Sequence, residues 1–244
     1  MLTAVAFVPS PPLLVPVLAG AAVAETAELR TAALDAATRL GASASQWTVV
    51  GVGDLVGTAG TAEIGPGACG TFAGFGVDER VRLSPDAHDP IDPEMPLAAL
   101  VAGWLRGQAA PEASIRVRSM PVRLPVDECV RAGARLRANL DADPEPHGVL
   151  VVADGATTLT DKAPGAFDPR STQVQKTLDD ALTAGDPHAL RVLDADVCAG
   201  IGLTGRAAWQ VLAGMFGDTG PGAAESLYTD APYGVGYHVG MWLP

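Results

Sequence analysis

Three apolar runs in this chain end in short polar groups that could do chemistry. Ala4–Val8 runs through prolines Pro9, Pro11 and Pro12 with Ser10 between them. Trp47–Val52 runs out into Gly53-Asp54-Leu55, and Val149–Val152 into Asp154-Gly155 followed by Thr157, Thr158, Thr160 and Asp161. Carboxylates accept hydrogen bonds, and hydroxyls both donate and accept. Such a set suits the binding of a small polar ligand. In open α/β sheets ligands bind outside the carboxyl ends of strands, which makes the loop after Val152 the expected wall of a site. The same residues also suit a plain turn at Asp154-Gly155 with solvated threonines.

The elements that must position these groups alternate between strand and helix. Val149–Val152 is an apolar run without alternation, as in a central parallel strand covered on both faces. Glu25–Leu40 has helical spacing, with Leu29, Ala33, Ala36 and Leu40 on one face and Gly41 placed to stop it. Pro96–Arg106 reads as a helix, Ser114–Met120 as a third strand, and Pro125–Leu140 as a helix burying Cys129, Gly133, Leu136 and Leu140. Asp168-Pro169 and Asp186-Pro187 are helix starts, a side-chain cap followed by proline. Behind them Val174, Leu178 and Leu182, then Leu190, Leu193 and Val197, mark buried faces. Thr204 can cap a helix carrying Trp209, Leu212 and Phe216. Ser226–Thr229 and Val235–Trp242 read as closing strands that pair as neighbours. Residues 57–96 form an irregular excursion over the sheet edge with no core of its own, carrying strand-like pieces at Thr71–Phe75 and Arg80–Leu83. The expected class is α/β: a single domain over residues 1–244 with a central mixed sheet flanked by helices. The first, second and fourth strands should lie in one sheet with their carboxyl ends converging on a cleft.

Composition narrows the function classes. With 244 residues, 48% of them hydrophobic, the chain can bury a large core. A net charge of -12 and a pI near 4.6 argue against nucleic acid, which needs a basic face, and against anionic membranes. No apolar run reaches the ~18 residues of a membrane span. The apolar N-terminus lacks a leading Lys or Arg and is broken by prolines, so it does not read as a signal peptide. Cys69, Cys129 and Cys198 are far apart and form no CxxC, so neither a zinc site nor a disulfide framework is indicated. A reducing, cytoplasmic compartment is the simplest expectation.

Gly200–Gly205 matches GxGxxG. A dinucleotide site needs a buried strand directly before that motif, and Leu190–Ala199 has helical spacing instead. It reads as a loop between two helices. Four histidines occur, His88, His147, His188 and His238. His147 precedes the Val149 strand at its amino end, and His238 lies inside the last strand. No three or four ligands converge on a metal in the sequence, and no Walker loop or GxSxG elbow is present.

On these residues the chain resembles the class III extradiol ring-cleavage dioxygenases, the superfamily of the LigB-type catalytic subunit, and their Memo-like relatives. AFVPSPPLLVP is similar to that superfamily's strand followed by Pro-His-Pro-Pro, and TFAGFG to its Phe-x-Gly-Phe element. The loop after Val152, continuing into Lys162-Ala163-Pro164-Gly165, resembles its Gly-Asp-Leu-Ser-His signature. LYTDAPYGVGYHVGMW is similar to its closing strand pair. The resemblance implies a LigB-like fold and an Fe(II) site with histidines at the first two strand exits, a carboxylate, and an acid/base histidine in the later loop. Here the matching positions hold Ser10, Asp54, and Thr157 with Thr158. A neutral hydroxyl is a poor Fe(II) ligand and does not titrate near neutral pH.

The expectation is therefore a superfamily fold with a degenerate iron site and no cofactor. Its pocket is walled by Ser10, Asp54, Asp154, Thr157 and Thr158, and it binds a small polar or aromatic ligand or a protein partner, or is an enzyme with metal-free chemistry. No catalytic residue is assigned. The rival reading is an active Fe(II)-dependent, catechol-cleaving dioxygenase drawing ligands from elsewhere, such as His238 or Glu225. A subunit giving only structure to a homo-oligomer is the third.

Overall fold

The computed structural model describes residues 1–53 and 62–244; Asp54, at the second strand exit, lies outside the described residues. The chain opens with β1 (Leu2–Val8), whose proline-rich exit forms a 3-10 turn at Pro12–Leu14. There follow α1 (Pro16–Ala19), α2 (Ala27–Ser43) and β2 (Gln46–Val52). The excursion contains β3 (Ala62–Ile64), β4 (Cys69–Thr71), a 3-10 turn at Phe72–Phe75, β5 (Arg80–Arg82) and β6 (Ile91–Asp92). Next come α3 (Leu97–Ala109), β7 (Ser114–Met120), α4 (Val126–Ala142) and β8 (His147–Val152). After a long loop the chain runs through α5 (Pro169–Ala184), α6 (Pro187–Arg191), α7 (Ala195–Gly200) and α8 (Arg206–Phe216). It closes with β9 (Ala223–Asp230) and β10 (Tyr237–Leu243).

Among the described residues the main sheet has seven strands in the order β3-β7-β2-β8-β1-β10-β9, and β4, β5 and β6 form a small second sheet. β7, β2, β8 and β1 are parallel; β3, β10 and β9 are each antiparallel to their neighbours. The molecule is an α/β protein with a mixed sheet flanked by helices. Both faces of the sheet are covered, which is why its central strands read as continuous apolar runs. One face packs Ala4, Ala6, Val8, Leu150 and Val152 against Leu29, Ala33 and Leu40 of α2 and Leu100, Val101 and Leu105 of α3. The other packs Val5, Phe7, Val149 and Val151 against α4, α5 and α8, with Trp209 and Trp242 at its centre. A fully buried Leu or Val contributes roughly 1.5–3 kcal/mol.

Several sequence expectations are corrected by packing. Gly41 lies inside α2 and does not stop it; a Cβ there would stand 2.6 Å from the Ala110 Cβ, so the glycine admits close contact with the end of α3. Thr71–Phe75 is only briefly strand, and its Phe72–Phe75 part is a 3-10 turn capped by the Thr71 hydroxyl. The excursion has no separate core, but Phe72, Val81, Leu83 and Met95 join the α2/α3 face. Thr204 does not cap α8, which starts from Gly205 without a side-chain cap. A Cβ at Gly205 would stand 2.4 Å from the Asp154 carbonyl oxygen, so close approach decides where α8 begins. On α5 the buried positions include Ser171 and Gln175, while Val174 is only half-buried; both polar residues serve the loop before them. Val197 is half-buried, and the segment behind Asp186 breaks into α6 and α7. Asp168 and Asp186 cap α5 and α6 through their side chains, with proline at the first helical position in each. The three cysteines are buried and free. Among the described residues no helix is long and apolar enough to cross a membrane.

Candidate functional site

β8 lies between β1 and β2 in the sheet, parallel to both. After β1 the chain turns onto the α2 face, and after β8 it passes to α5 on the opposite face. The carboxyl ends of β1 and β8 are thus a topological switch point, where an α/β sheet opens a crevice. Ser10 and Asp154 meet there. The Ser10 backbone N–H donates to Asp154 Oδ1 at 2.7 Å, and the Ser10 hydroxyl donates to Oδ2 at 2.6 Å. Ala153 N–H donates to the Val8 carbonyl at 3.0 Å, so the parallel ladder carries on up to the pair.

Burial pushes the Asp154 carboxyl above its ordinary value, opposed by the two bonds from Ser10. The folded chain therefore holds that proton more tightly than the unfolded chain. The stability the protonated group contributes is complete below the ordinary carboxylate range and is lost as pH rises through the folded value. Asp154→Asn, which keeps an oxygen for the Ser10 N–H, is expected to flatten this dependence. Urea unfolding at a series of pH values checks it: stability of the parent relative to Asp154→Asn should fall from acid toward neutral pH. Parallel curves would refute it.

The chain's three tyrosines, not singled out in the sequence, gather at this end of the sheet. Tyr237 is buried on the α2/α3 face, and burial, with the Asp154 charge next, pushes its phenol far up. Burial followed by Asp230 and Glu28 raises Tyr228 to about 12. Tyr233 donates to Glu25 Oε2 at 2.9 Å. Their spacing, Y-x4-Y-x3-Y across a strand, a turn and the next strand, is the signal that could have found them.

The loop after β8 is pinned chiefly by backbone. Gly155 N–H donates to the Gly236 carbonyl, Gly236 N–H to Ala156, and Leu159 N–H to Gly234, at 2.8, 2.9 and 3.1 Å. Gln175 Oε1 accepts from Ala156 N–H at 2.8 Å. Thr158 is buried, and its hydroxyl donates to the Ile201 carbonyl at 3.1 Å. It anchors the loop and does not offer its hydroxyl to a ligand, contrary to the expectation for that residue. Thr157 is half-buried and faces the α7–α8 connection: a Cβ on Gly202 would stand 2.1 Å from Thr157 Oγ1. The GxGxxG match is indeed a loop between two helices, and Gly202 and Gly205 are there for close approach, with Gly202 at φ +66°. Beside the loop, Thr160, Asp161, Lys162, Pro232, Tyr233 and Gly234 line an open concavity of about 500 Å³. A larger one, about 730 Å³, lies far from these strand ends, between β5 and α3 around Arg82, Trp104 and Arg106. Arg106 spends its guanidinium on the carbonyls of Ala113, Pro111 and Arg82.

Among the described residues no three His, Cys, Asp or Glu side chains converge on a metal. His147 sits at the amino end of β8 beside Asp143, and Glu225 is bound by Arg39 at 2.5 Å. His238 follows Tyr237 on β10 and so points to the opposite face. There Asp179, Ser226 and Thr229 surround its ring. The residues at the strand exits do not fit the Fe(II) set that the resemblance implies: the one carboxylate among them that is described is engaged by Ser10 through both oxygens.

No protein-family model matches the chain, and no curated protein matches it. Among solved structures, an uncharacterized protein from Escherichia coli K12 is similar in fold, with a TM-score of 0.55 over 98% of this chain and 99% of that chain, at 12% identity.

Proposed function

We propose that the protein is an extradiol-dioxygenase-like binding protein that has kept the sheet-end crevice and lost the iron chemistry. The ligand is a small polar or aromatic molecule whose hydroxyl groups bond to the Asp154 carboxyl and the neighbouring phenols. The observation that carries the reading is the Ser10–Asp154 pair at the switch point, where a hydroxyl and a carboxylate satisfy each other. Fe(II) prefers imidazole and carboxylate ligands. His238 and Glu225, the alternative donors, are each engaged by other side chains.

The test is anaerobic reconstitution with Fe(II), elemental analysis, and oxygen uptake on protocatechuate and simpler catechols. The expected result is well under one equivalent of iron and no ring cleavage, with catechol-type ligands bound in a manner weakened by Asp154→Ala. Stoichiometric iron with turnover would overturn the reading in favour of an active Fe(II) dioxygenase. Loss of both in His238→Ala would then name a replacement ligand.

A further inference from the structure

On the opposite face of the sheet a second cluster joins β9, β10 and α5. His238 is 2% exposed. Its Nε2 lies 3.1 Å from Ser226 Oγ, and its Nδ1 lies 3.1 Å from Asp179 Oδ1. Thr229 Oγ1 stands 3.3 Å from Nδ1 and 3.1 Å from Ser226 Oγ. Ser226 and Thr229 are exposed while the ring between them and Asp179 is covered. Each nitrogen thus meets the partner that a nucleophilic relay requires: hydroxyl on Nε2, carboxylate on Nδ1.

The backbone builds this arrangement deliberately. His238 pairs with Thr229 across the antiparallel ladder, and the register shifts between Val239 and Gly240 so that Gly240 pairs with Ser226. The shift leaves Leu227 as an extra residue. Without it Ser226 and Thr229, three apart, would point to opposite faces; with it both turn to His238. Asp179 is fixed from behind, because its Oδ1 also accepts from Gln175 Nε2 at 3.0 Å, and Gln175 is held by Ala156 N–H. Phe7 packs against the imidazole at 5.6 Å between ring centroids. Among the described residues β9 is the terminal strand of the main sheet, so alternate backbone N–H groups along it point away from β10.

We propose that Ser226, His238 and Asp179 form a serine-nucleophile site acting on short, unhindered esters. Ser226 Oγ bonds to the ester carbonyl carbon as its proton passes to His238 Nε2. The carbon–oxygen bond to the alcohol breaks, and the alcohol leaves with that proton. Water then attacks the acyl-serine, gives a proton to Nε2, and releases the acid as Ser226 recovers its hydrogen. Asp179 is a positioning residue, holding the tautomer with hydrogen on Nδ1. Ser226 is exposed, so the substrate approaches from solvent and needs no enclosing cavity. The two sites lie on opposite faces of the sheet, so failure here leaves ligand binding at Asp154 untouched.

The test uses a fluorophosphonate probe with peptide mapping by mass spectrometry, and p-nitrophenyl acetate hydrolysis alongside. The expected result is one adduct, on Ser226, formed with loss of fluoride and absent in Ser226→Ala, a surface change that should leave the melting temperature unaltered. Asp179→Asn should slow labelling and lower kcat by at least about tenfold with KM little changed, since a wrong tautomer costs turnover and not binding. Asp179→Glu should restore part of the rate. Absence of an adduct on Ser226 under conditions that fully label a reference serine hydrolase would overturn the proposal. So would an adduct formed at the same rate in Asp179→Asn.

Discussion

Gly133→Val is expected to destabilise the protein by about 3 kcal/mol or more, since overpacking against backbone lies at the upper end of single-residue effects. α4 and α8 cross at a pair of glycines, each facing the other helix's backbone. A Cβ on Gly133 would stand 2.0 Å from the Val211 carbonyl oxygen, and one on Gly214 would stand 2.2 Å from that of Val130. Side-chain rotation cannot relieve contacts with backbone, so the helices must part. Parting them loosens Cys129, Leu136, Val211 and Met215, all in one buried cluster. For a chain of this size about 3 kcal/mol corresponds to a fall of roughly 6–12 °C in Tm. Gly107→Ala is the control: Gly107 is an exposed glycine of α3 with open space where the Cβ would go. That variant should be neutral or gain up to ~1 kcal/mol of helix propensity. Urea unfolding midpoints of the two variants decide the matter. A Gly133→Val midpoint equal to that of the parent would show that the helices can separate at little cost.

Asp154→Ala should cost about 1–3 kcal/mol, the scale of leaving a buried donor without its acceptor. The substitution leaves the Ser10 N–H and hydroxyl without the acceptors they have at 2.7 and 2.6 Å. It also removes the side-chain tie between the proline-rich exit of β1 and the loop after β8. Asp154→Asn keeps an acceptor for the N–H and lets the Ser10 hydroxyl reverse its role, so it should recover most of the loss. Denaturant unfolding of both variants, with catechol binding followed in parallel, separates scaffold from ligand effects. Equal destabilisation by Ala and Asn would mean that ionisation, and not hydrogen bonding, holds the pair. No loss with Ala would show that the pair does not hold the two strand exits together.

Much of the fold was legible because local pattern and tertiary placement agree. Ser114–Met120 is a strand over the same residues in sequence and structure, and α4 buries the four residues its spacing selects. The caps at Asp168 and Asp186 are local bonds that depend on nothing distant. The placing of the first, second and fourth strands side by side was expected from apolar runs that suit a doubly covered parallel sheet. Ser10 and Asp154 were readable as groups at two of those strand ends, but not as hydrogen-bonded partners.

What the sequence could not decide are matters of distance between residues far apart in the chain. Gly41, Gly205 and Gly202 look like stops and motif glycines, yet each answers to a backbone or side chain from another element. Thr158 looks like a site hydroxyl until the carbonyl of Ile201, 43 residues on, accepts its hydrogen bond. The Ser226–His238–Asp179 cluster is set by a one-residue register shift between β9 and β10, which composition and periodicity do not encode. The sequence alone determined most of the strands and helices and which polar groups stand at strand ends, because those depend chiefly on neighbours in the chain. Only the tertiary structure decided which of those groups face each other, because that depends on close backbone approach and on ladder register between segments up to 144 residues apart.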